Sequence, residues 1–204
     1  MNVHKICDVV KPLFDKYQNE EYIEMEFRVG KFNGTFFDTN VGEKNYKSIL
    51  DGLYKYNGWE SINSGTSEVY FRSEDKTRLT IDESTGDETI VRKESVHKED
   101  FKQSGEIPYD IRFGISRETP IEDDGNSTFT SKKIKHRTSF IRKNLSIDMT
   151  VCTGTMEDMD SEESTVYQIE FEIIDPRKVE NLDTLFNIIH KIKNLFNILD
   201  TYIC

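Results

Sequence analysis

The chain has 204 residues, of which 35% are hydrophobic and 32% are charged, and its formal net charge is −11 at pH 7. These proportions supply enough apolar side chains for the core of one domain over residues 1–204 and exclude a disordered chain. The longest apolar runs fall far short of the roughly 20 residues that cross a bilayer, so we expect no transmembrane helix and no membrane partner.

Helices are predicted in three places. Apolar side chains recur every three or four residues at about 2–18, which predicts an amphipathic helix there. The same spacing predicts a second helix near 46–54 and a third at about 181–203, after the Asp175-Pro176 break. Each helix has one apolar side, which we expect to cover another part of the domain.

Outside these helices the hydrophobic period changes to two residues, which predicts strands. Eight strands are predicted, near residues 22–30, 66–73, 76–82, 88–95, 109–118, 133–142, 145–152 and 165–174. Turn-forming residues and short connections separate most of them, so consecutive strands are expected to be antiparallel neighbours.

The polar faces of these strands carry charges that are sorted by sign. Acidic side chains occupy alternate positions on the first and last strands, namely Glu24, Glu26, Glu170 and Glu172. Basic side chains do so on the sixth predicted strand, namely Lys133, Lys135 and Arg137. Like charges at this spacing of about 7 Å repel one another, so each row needs counter-charges from elsewhere.

Two architectures account for such faces. An open sheet packed on helices would leave the charged faces in water. A mainly β (α+β) fold with an eight-stranded antiparallel β-barrel would instead enclose them in a polar lumen, while the amphipathic helices cover its apolar outside. In the second case the acids and bases would line a binding cavity.

The charged residues indicate one kind of chemistry if the barrel closes. Glu24, Glu26 and Glu172 would then come together and repel by roughly 3 kcal/mol per pair, which a Mg²⁺ or Mn²⁺ ion relieves. The arginines and lysines of the other strands match a polyphosphate. The combination points to metal-assisted phosphoryl transfer, and the sequence offers no P-loop, GxSxG motif or Cys/His dyad in competition.

Five motifs follow one another along the chain: Glu24-Met-Glu26-Phe-Arg28, Asp110-Ile-Arg112-Phe-Gly-Ile-Ser116-Arg-Glu118-Thr-Pro120, Lys133-Ile-Lys135-His-Arg137-Thr-Ser139-Phe140, Ile147-Asp148-Met-Thr150 and Gln168-Ile-Glu170-Phe-Glu172. In order and spacing they resemble the motifs of the triphosphate tunnel metalloenzymes. Within that superfamily they resemble the metal-dependent RNA 5′-triphosphatases of fungi, protozoa and large DNA viruses, most of all the N-terminal domains of giant-virus, mimivirus-like capping enzymes. The resemblance covers about residues 20–175.

This resemblance implies an eight-stranded tunnel that removes the γ-phosphate of 5′-triphosphate RNA, the first step of mRNA capping, and that also hydrolyses nucleoside triphosphates. It implies Mg²⁺ or Mn²⁺ as cofactor. The implied partners are the 5′-triphosphate end of RNA, nucleoside triphosphates, and guanylyltransferase and methyltransferase modules of the same polypeptide. We expect a cytoplasmic location, or the viral factory or virion if the source is a virus.

The resemblance also implies a role for each motif residue. The metal ligands would be Glu24, Glu26 and Glu172. The catalytic residues would be Glu118, which orients or activates the water, with Arg112, Lys135 and Arg137 on the phosphates. Further phosphate-binding residues would be Arg28, Arg78, Arg92 and Lys133, and the supporting residues Asp148, Thr150 and Glu170.

Two positions depart from the family pattern. Gln168 stands where a fully acidic last motif would have a carboxylate, so it is not expected to be a ligand. The match at 88–95 is loose, and the choice between Arg92 and Lys93 as the lumen residue stays open.

Two other functions remain open on the sequence. A hydrolase of small triphosphates, such as tripolyphosphate, thiamine triphosphate or free nucleotides, would use the same lumen. A non-catalytic module that binds phosphate or RNA is the other, although such a surface is usually basic and offers exposed aromatic rings, whereas this chain is acidic.

Overall fold

The fold is that of a computed structural model, which describes residues 1–103, 108–125, 128–154 and 164–200. Three helices are present in this part of the chain: α1 (Val3–Tyr17), α2 (Glu43–Lys55) and α3 (Leu182–Asp200). The strands are β1 (Ile23–Phe32), β2 (Phe37–Asp38), β3 (Ser61–Arg72), β4 (Thr77–Asp82), β5 (Glu88–Phe101), β6 (Asp110–Pro120), β7 (Ser131–Arg142), β8 (Leu145–Gly154) and β9 (Thr165–Ile173).

Eight of the strands close into an antiparallel barrel. Their order is β1-β6-β5-β4-β3-β7-β8-β9, and β9 pairs again with β1, while β2 is a short addition to β1. The predicted eight-stranded antiparallel barrel is therefore confirmed, and the open sheet is excluded.

The strands differ from the predicted ones mainly in length. β3 begins at Ser61, earlier than predicted. Its first half contains Asn63, Ser64 and Gly65 and has no apolar alternation, so the sequence does not predict it. β5 continues to Phe101, beyond the predicted strand. A β-bulge after Ser95 changes which side chains face outward and so interrupts the two-residue period there. β2 is too short to leave a period-two pattern.

The outside of the barrel is apolar on the side that the helices cover. Side chains from β1, β6, β8 and β9 bury there at 0–2% exposure, namely Met25, Phe27, Phe113, Met149, Ile169 and Phe171. They share one core with Phe14 of α1 and Ile189 of α3. Burial of this face against amphipathic helices is what allows the charged face to point into the lumen.

The loop after β6 is fixed more firmly than its composition indicates. Asp124, one of three consecutive acidic residues, bonds to the guanidinium of Arg72, whose side chain is 5% exposed, at 2.7 Å. Asp75 bonds to the same guanidinium at 2.9 Å. The second acidic stretch, 157–163, and the predicted last residues of the third helix lie outside the described residues.

None of the described helices is long and apolar enough to cross a membrane.

The packing of the core predicts how one substitution changes the free energy of unfolding. Replacing Met149, which is fully buried, by alanine should lower the free energy of unfolding by about 2–5 kcal/mol, because the helices cannot collapse fully onto the cavity that is left. Urea denaturation measures this. Ile62→Ala is the matched control on the exposed outside, at 42% exposure, and should change it by no more than about 0.5 kcal/mol. Equal effects of the two substitutions would contradict the assignment of the core.

Candidate active site

The lumen holds a cavity of about 370 Å³ into which charged side chains of five strands project. Its charged lining residues are Glu24, Glu26, Arg28, Arg78, Lys93, Lys133, Lys135, Arg137, Glu170 and Glu172. The structure therefore brings together, around one cavity, most of the residues that the motifs single out. Every second residue of a strand faces the same side, which is how motifs from distant parts of the chain converge.

The three glutamates predicted to bind metal lie on the neighbouring strands β1 and β9. Glu26 and Glu172 are direct cross-strand partners, and Glu24 is two residues from Glu26 on the same face. Burial, with the nearby carboxylates, raises the pKa of both Glu26 and Glu172 to about 7. Glu172 forms no ion pair within the described residues.

The other two glutamates contact basic side chains. Glu26 Oε1 lies 2.6 Å from the guanidinium of Arg28, and Glu24 Oε2 lies 2.5 Å from Lys93 Nζ. Burial alone would raise the pKa of Glu24, but the Lys93 ammonium and the Ser116 hydroxyl lower it to about 2. In the described part of the chain no three His, Cys, Asp or Glu side chains are arranged around a common metal position.

The donor set nevertheless fits a hard divalent cation. Glu24, Glu26 and Glu172 offer only carboxylate oxygens, which Mg²⁺ and Mn²⁺ prefer. Burial, together with the neighbouring carboxylates, disfavours the charged forms of Glu26 and Glu172 and raises the pKa of both. A cation held by these oxygens would favour the charged forms instead.

Lys93, and not Arg92, points into the lumen. Lys93 Nζ lies 2.5 Å from Glu24 Oε2 and 2.5 Å from Glu118 Oε1, whereas Arg92 is exposed on the outside. The prediction of Arg92 as a phosphate-binding residue is corrected here. The sequence left this choice open because Ile90 and Val91 are both apolar, so the alternation does not tell which face is inward; pairing of Val91 with Arg78 of β4 puts Lys93 on the lumen face.

Glu118 is held by two cations. Its carboxylate accepts from Lys93 and, at 2.5 Å, from the guanidinium of Arg78. Arg78 Nε is itself buried and has no hydrogen-bond partner within the described residues. A buried donor that faces a polar cavity without a partner is costly, so an anion at this place would satisfy it.

The basic row of β7 lies opposite the glutamates. Burial lowers the pKa of Lys135 to about 8, and Lys135 forms no ion pair within the described residues. Arg137 differs, because it lies 3.1 Å from Asp148 and 3.2 Å from Glu170 and donates to the Thr150 hydroxyl. The predicted supporting residues thus surround the Arg137 guanidinium.

Arg112 is separated from the other predicted catalytic residues. Its guanidinium forms two hydrogen bonds with Asp100 and lies over the Phe37 ring, and it does not line the cavity. Arg112 and Glu118 are six residues apart on one strand, about 20 Å, so they cannot both contact one phosphoryl group. The predicted strand at 109–118 already contained both residues, so this distance follows from the sequence once the strand is accepted.

Some lining residues were not singled out by the sequence. Cys152 faces the cavity opposite Lys135, and Ser67, Phe71 and Thr80 line it from β3 and β4. Cys152 could have been found by counting two residues on from Thr150. Thr80 shares the polar face of its strand with Arg78 and Asp82, whereas Ser67 and Phe71 lie on β3, whose inward face carries no charge, so no pattern distinguished those two.

Comparisons with known proteins agree with this geometry. The sequence profile of the family described as "mRNA capping enzyme, beta chain" matches residues 44–202, which leaves β1 with its two glutamates outside the match. Searching the curated proteins gave no match.

Solved structures share the fold. The RNA triphosphatase Pct1 of S. pombe superposes with a TM-score of 0.75 at 17% identity, covering 95% of this chain and 91% of Pct1. The RNA triphosphatase domain of a trifunctional mimivirus mRNA capping enzyme superposes with a TM-score of 0.54 at 16% identity, covering 90% of this chain and 96% of that domain. The chain belongs to the mRNA capping enzyme beta-chain family, and it is a tunnel-fold RNA triphosphatase that hydrolyses the 5′-triphosphate end of RNA in cap formation.

Proposed function

We propose that the charged lumen is the catalytic site of this reaction and that Glu24, Glu26 and Glu172 hold its divalent cation, Mg²⁺ or Mn²⁺. Triphosphatases of this type depend on a metal. The observation that carries the proposal is the pairing of Glu26 with Glu172 across the closing strands, in one cavity with Lys135 and with Arg78 Nε, neither of which has a partner in the described part of the chain. Carboxylates on one side and cations on the other match a metal-bound polyphosphate.

The lumen cations would grip the triphosphate. Lys135 is free to bind a phosphate oxygen, and Lys133 lies two residues away on the same face of β7. Arg137 is already oriented by Asp148 and Glu170, so it can present its remaining N–H groups without rearrangement. Bound metal would supply further neutralisation of the charge that develops on the γ-phosphoryl group.

Glu118 is placed to orient the attacking water. Arg78 and Lys93 fix its carboxylate in the lumen wall, and a water that donates to it would face the phosphates held by those same cations. Attack of the water oxygen on the γ-phosphorus breaks its bond to the β–γ bridging oxygen. Orthophosphate leaves, and the RNA keeps a 5′-diphosphate end.

The experiment that tests this function measures γ-phosphate release from 5′-triphosphate RNA, a nucleoside triphosphate and tripolyphosphate, with Mg²⁺ and with Mn²⁺. We expect release from RNA with a higher kcat/KM than from either small substrate. Hydrolysis of tripolyphosphate alone would contradict an RNA substrate and favour a small-triphosphate hydrolase. Binding of RNA without any release would make the domain a non-catalytic module.

We also propose that the product passes to a guanylyltransferase and then a methyltransferase, in the same polypeptide or in a complex. A 5′-diphosphate RNA end is the acceptor for cap addition, so the three reactions follow one another. The mimivirus enzyme that shares this fold is described as trifunctional, which supports such coupling.

Because Lys135 titrates, we expect the binding of phosphate groups in the lumen to depend on pH. Because its pKa is about 8, raising the pH from 7.5 to 9.5 removes most of its charge, and metal-free binding of tripolyphosphate should weaken by about tenfold. Isothermal calorimetry in the presence of a chelator measures this. Lys135→Arg keeps its charge over this range and is the control, so a similar decline in that variant would show that another group titrates.

A further inference from the structure

Two cavities adjoin each other outside the barrel, where β7 turns into β8 beside α3. The first, of about 390 Å³, is an aromatic pocket walled by Leu53, Tyr56, Trp59 and Ile198. The second, of about 450 Å³, is a polar pocket lined by Lys143, Asn187 and His190. Arg142, Leu145, Lys191 and Asn194 line both pockets, so the two are continuous. Neither shares a lining residue with the lumen.

The charge of this surface is opposite to that of the chain as a whole. The chain has 38 acidic residues, yet no Asp or Glu is among the described residues that line either pocket. Arg142, Lys143 and Lys191 gather there without an ion pair in the described part of the chain. Their proximity is unfavourable, since burial and the charges of Arg142 and Lys143 lower the pKa of Lys191. An anion would relieve this repulsion.

The aromatic pocket has rigid walls. Trp59 Nε1 donates to the Leu53 carbonyl at 2.8 Å, and the Tyr56 ring meets the Trp59 ring edge-on at 5.1 Å. Arg142 lies over the Tyr56 ring at 5.2 Å, which fixes the cation at the border between the two pockets. Such a pocket accepts one large apolar side chain with little loss of its own freedom.

We propose that the two pockets together dock a phosphorylated peptide of a partner protein. Its phosphate would bind Arg142, Lys143 and Lys191, and a large apolar side chain one or two residues away would fill the aromatic pocket. Three cations match the near-double charge of a phosphate better than a single carboxylate. A polynucleotide would need a longer basic stripe than these three residues form, and the net charge of −11 of the chain disfavours it.

The test uses fluorescence anisotropy with three probes. These are a pool of peptides with a central phosphoserine and Leu, Phe or Trp two residues away, the same pool unphosphorylated, and a 12-nucleotide RNA with a 5′-hydroxyl end. We expect the phosphorylated pool to bind about tenfold more tightly than the unphosphorylated one. Replacing the apolar residue of the pool by glycine should weaken binding by about threefold.

Variants of neighbouring residues decide whether the site is the one proposed. Lys191→Gln should weaken the phosphopeptide by about tenfold, whereas Lys193→Gln, on the exposed side of the same helix, and Lys135→Ala, in the lumen, should not. Both α3 variants should keep the RNA triphosphatase activity. Equal binding of the two pools, equal loss in Lys191→Gln and Lys193→Gln, or an RNA probe that depends on Lys191 would each overturn the proposal.

Discussion

Replacement of Glu172 by alanine is expected to lower metal-dependent γ-phosphate release by at least about 100-fold while the protein stays folded. Glu172 is paired with Glu26 across the seam that closes the barrel, and it has no basic partner within the described residues. Its loss removes a metal ligand and at the same time relieves carboxylate repulsion, so the fold should not suffer. The same loss of activity is expected for Glu24→Ala and Glu26→Ala, but these two also remove the carboxylate partners of Lys93 and Arg28 and should lower the free energy of unfolding.

Both the metal and the activity have to be measured. Binding of Mn²⁺, followed by electron paramagnetic resonance, should weaken in each lumen variant together with turnover on 5′-triphosphate RNA. Glu94→Gln is the matched control, because Glu94 projects from the outside of β5 toward Lys76. Full activity of Glu172→Ala, or unchanged Mn²⁺ binding with lost activity, would remove Glu172 from the proposed ligand set.

The second large effect separates two adjacent residues. Lys93→Met should reduce kcat/KM by about 100-fold, because it removes a lumen cation and leaves Glu24 and Glu118 without the ammonium that both contact. Arg92→Met should leave kcat/KM within about twofold, because Arg92 is exposed on the outer face.

The pair of substitutions has an internal control, because each removes one positive charge from the same strand. Any effect of net charge on RNA association would therefore appear in both variants and would decline with added salt. A comparable loss in the two variants would contradict the inward position of Lys93. Thermal unfolding, followed by circular dichroism, verifies that both variants fold.

Because the charged side chains of the lumen are buried, the stability of each depends on its partners of opposite charge. Arg28 lies between Glu26 and Glu170, at 2.6 Å and 3.1 Å, and Arg137 lies between Asp148 and Glu170. Removing one partner from such a network leaves the other charge buried and uncompensated, which costs more than the contact itself contributes. Substitutions in the network are therefore expected to be strongly non-additive.

The residue pattern is enough to predict most of the strands, the two faces of each strand and the sorting of charge between them. The reason is that burial of one face in a pleated strand imposes a two-residue period, which Met25, Phe27 and Val29 display beside Glu24, Glu26 and Arg28. The order and spacing of the motifs carried the family resemblance for the same reason, since they sample the inward faces of successive strands.

Which of these residues meet depends on contacts between strands that lie far apart in the sequence. Closure of β9 onto β1 placed Glu172 against Glu26, nearly 150 positions apart in the sequence, and the pairing of β5 with β4 and β6 placed Lys93 rather than Arg92 in the lumen. Register, bulges and barrel closure are set by contacts between strands, so no periodicity read along one strand contains them.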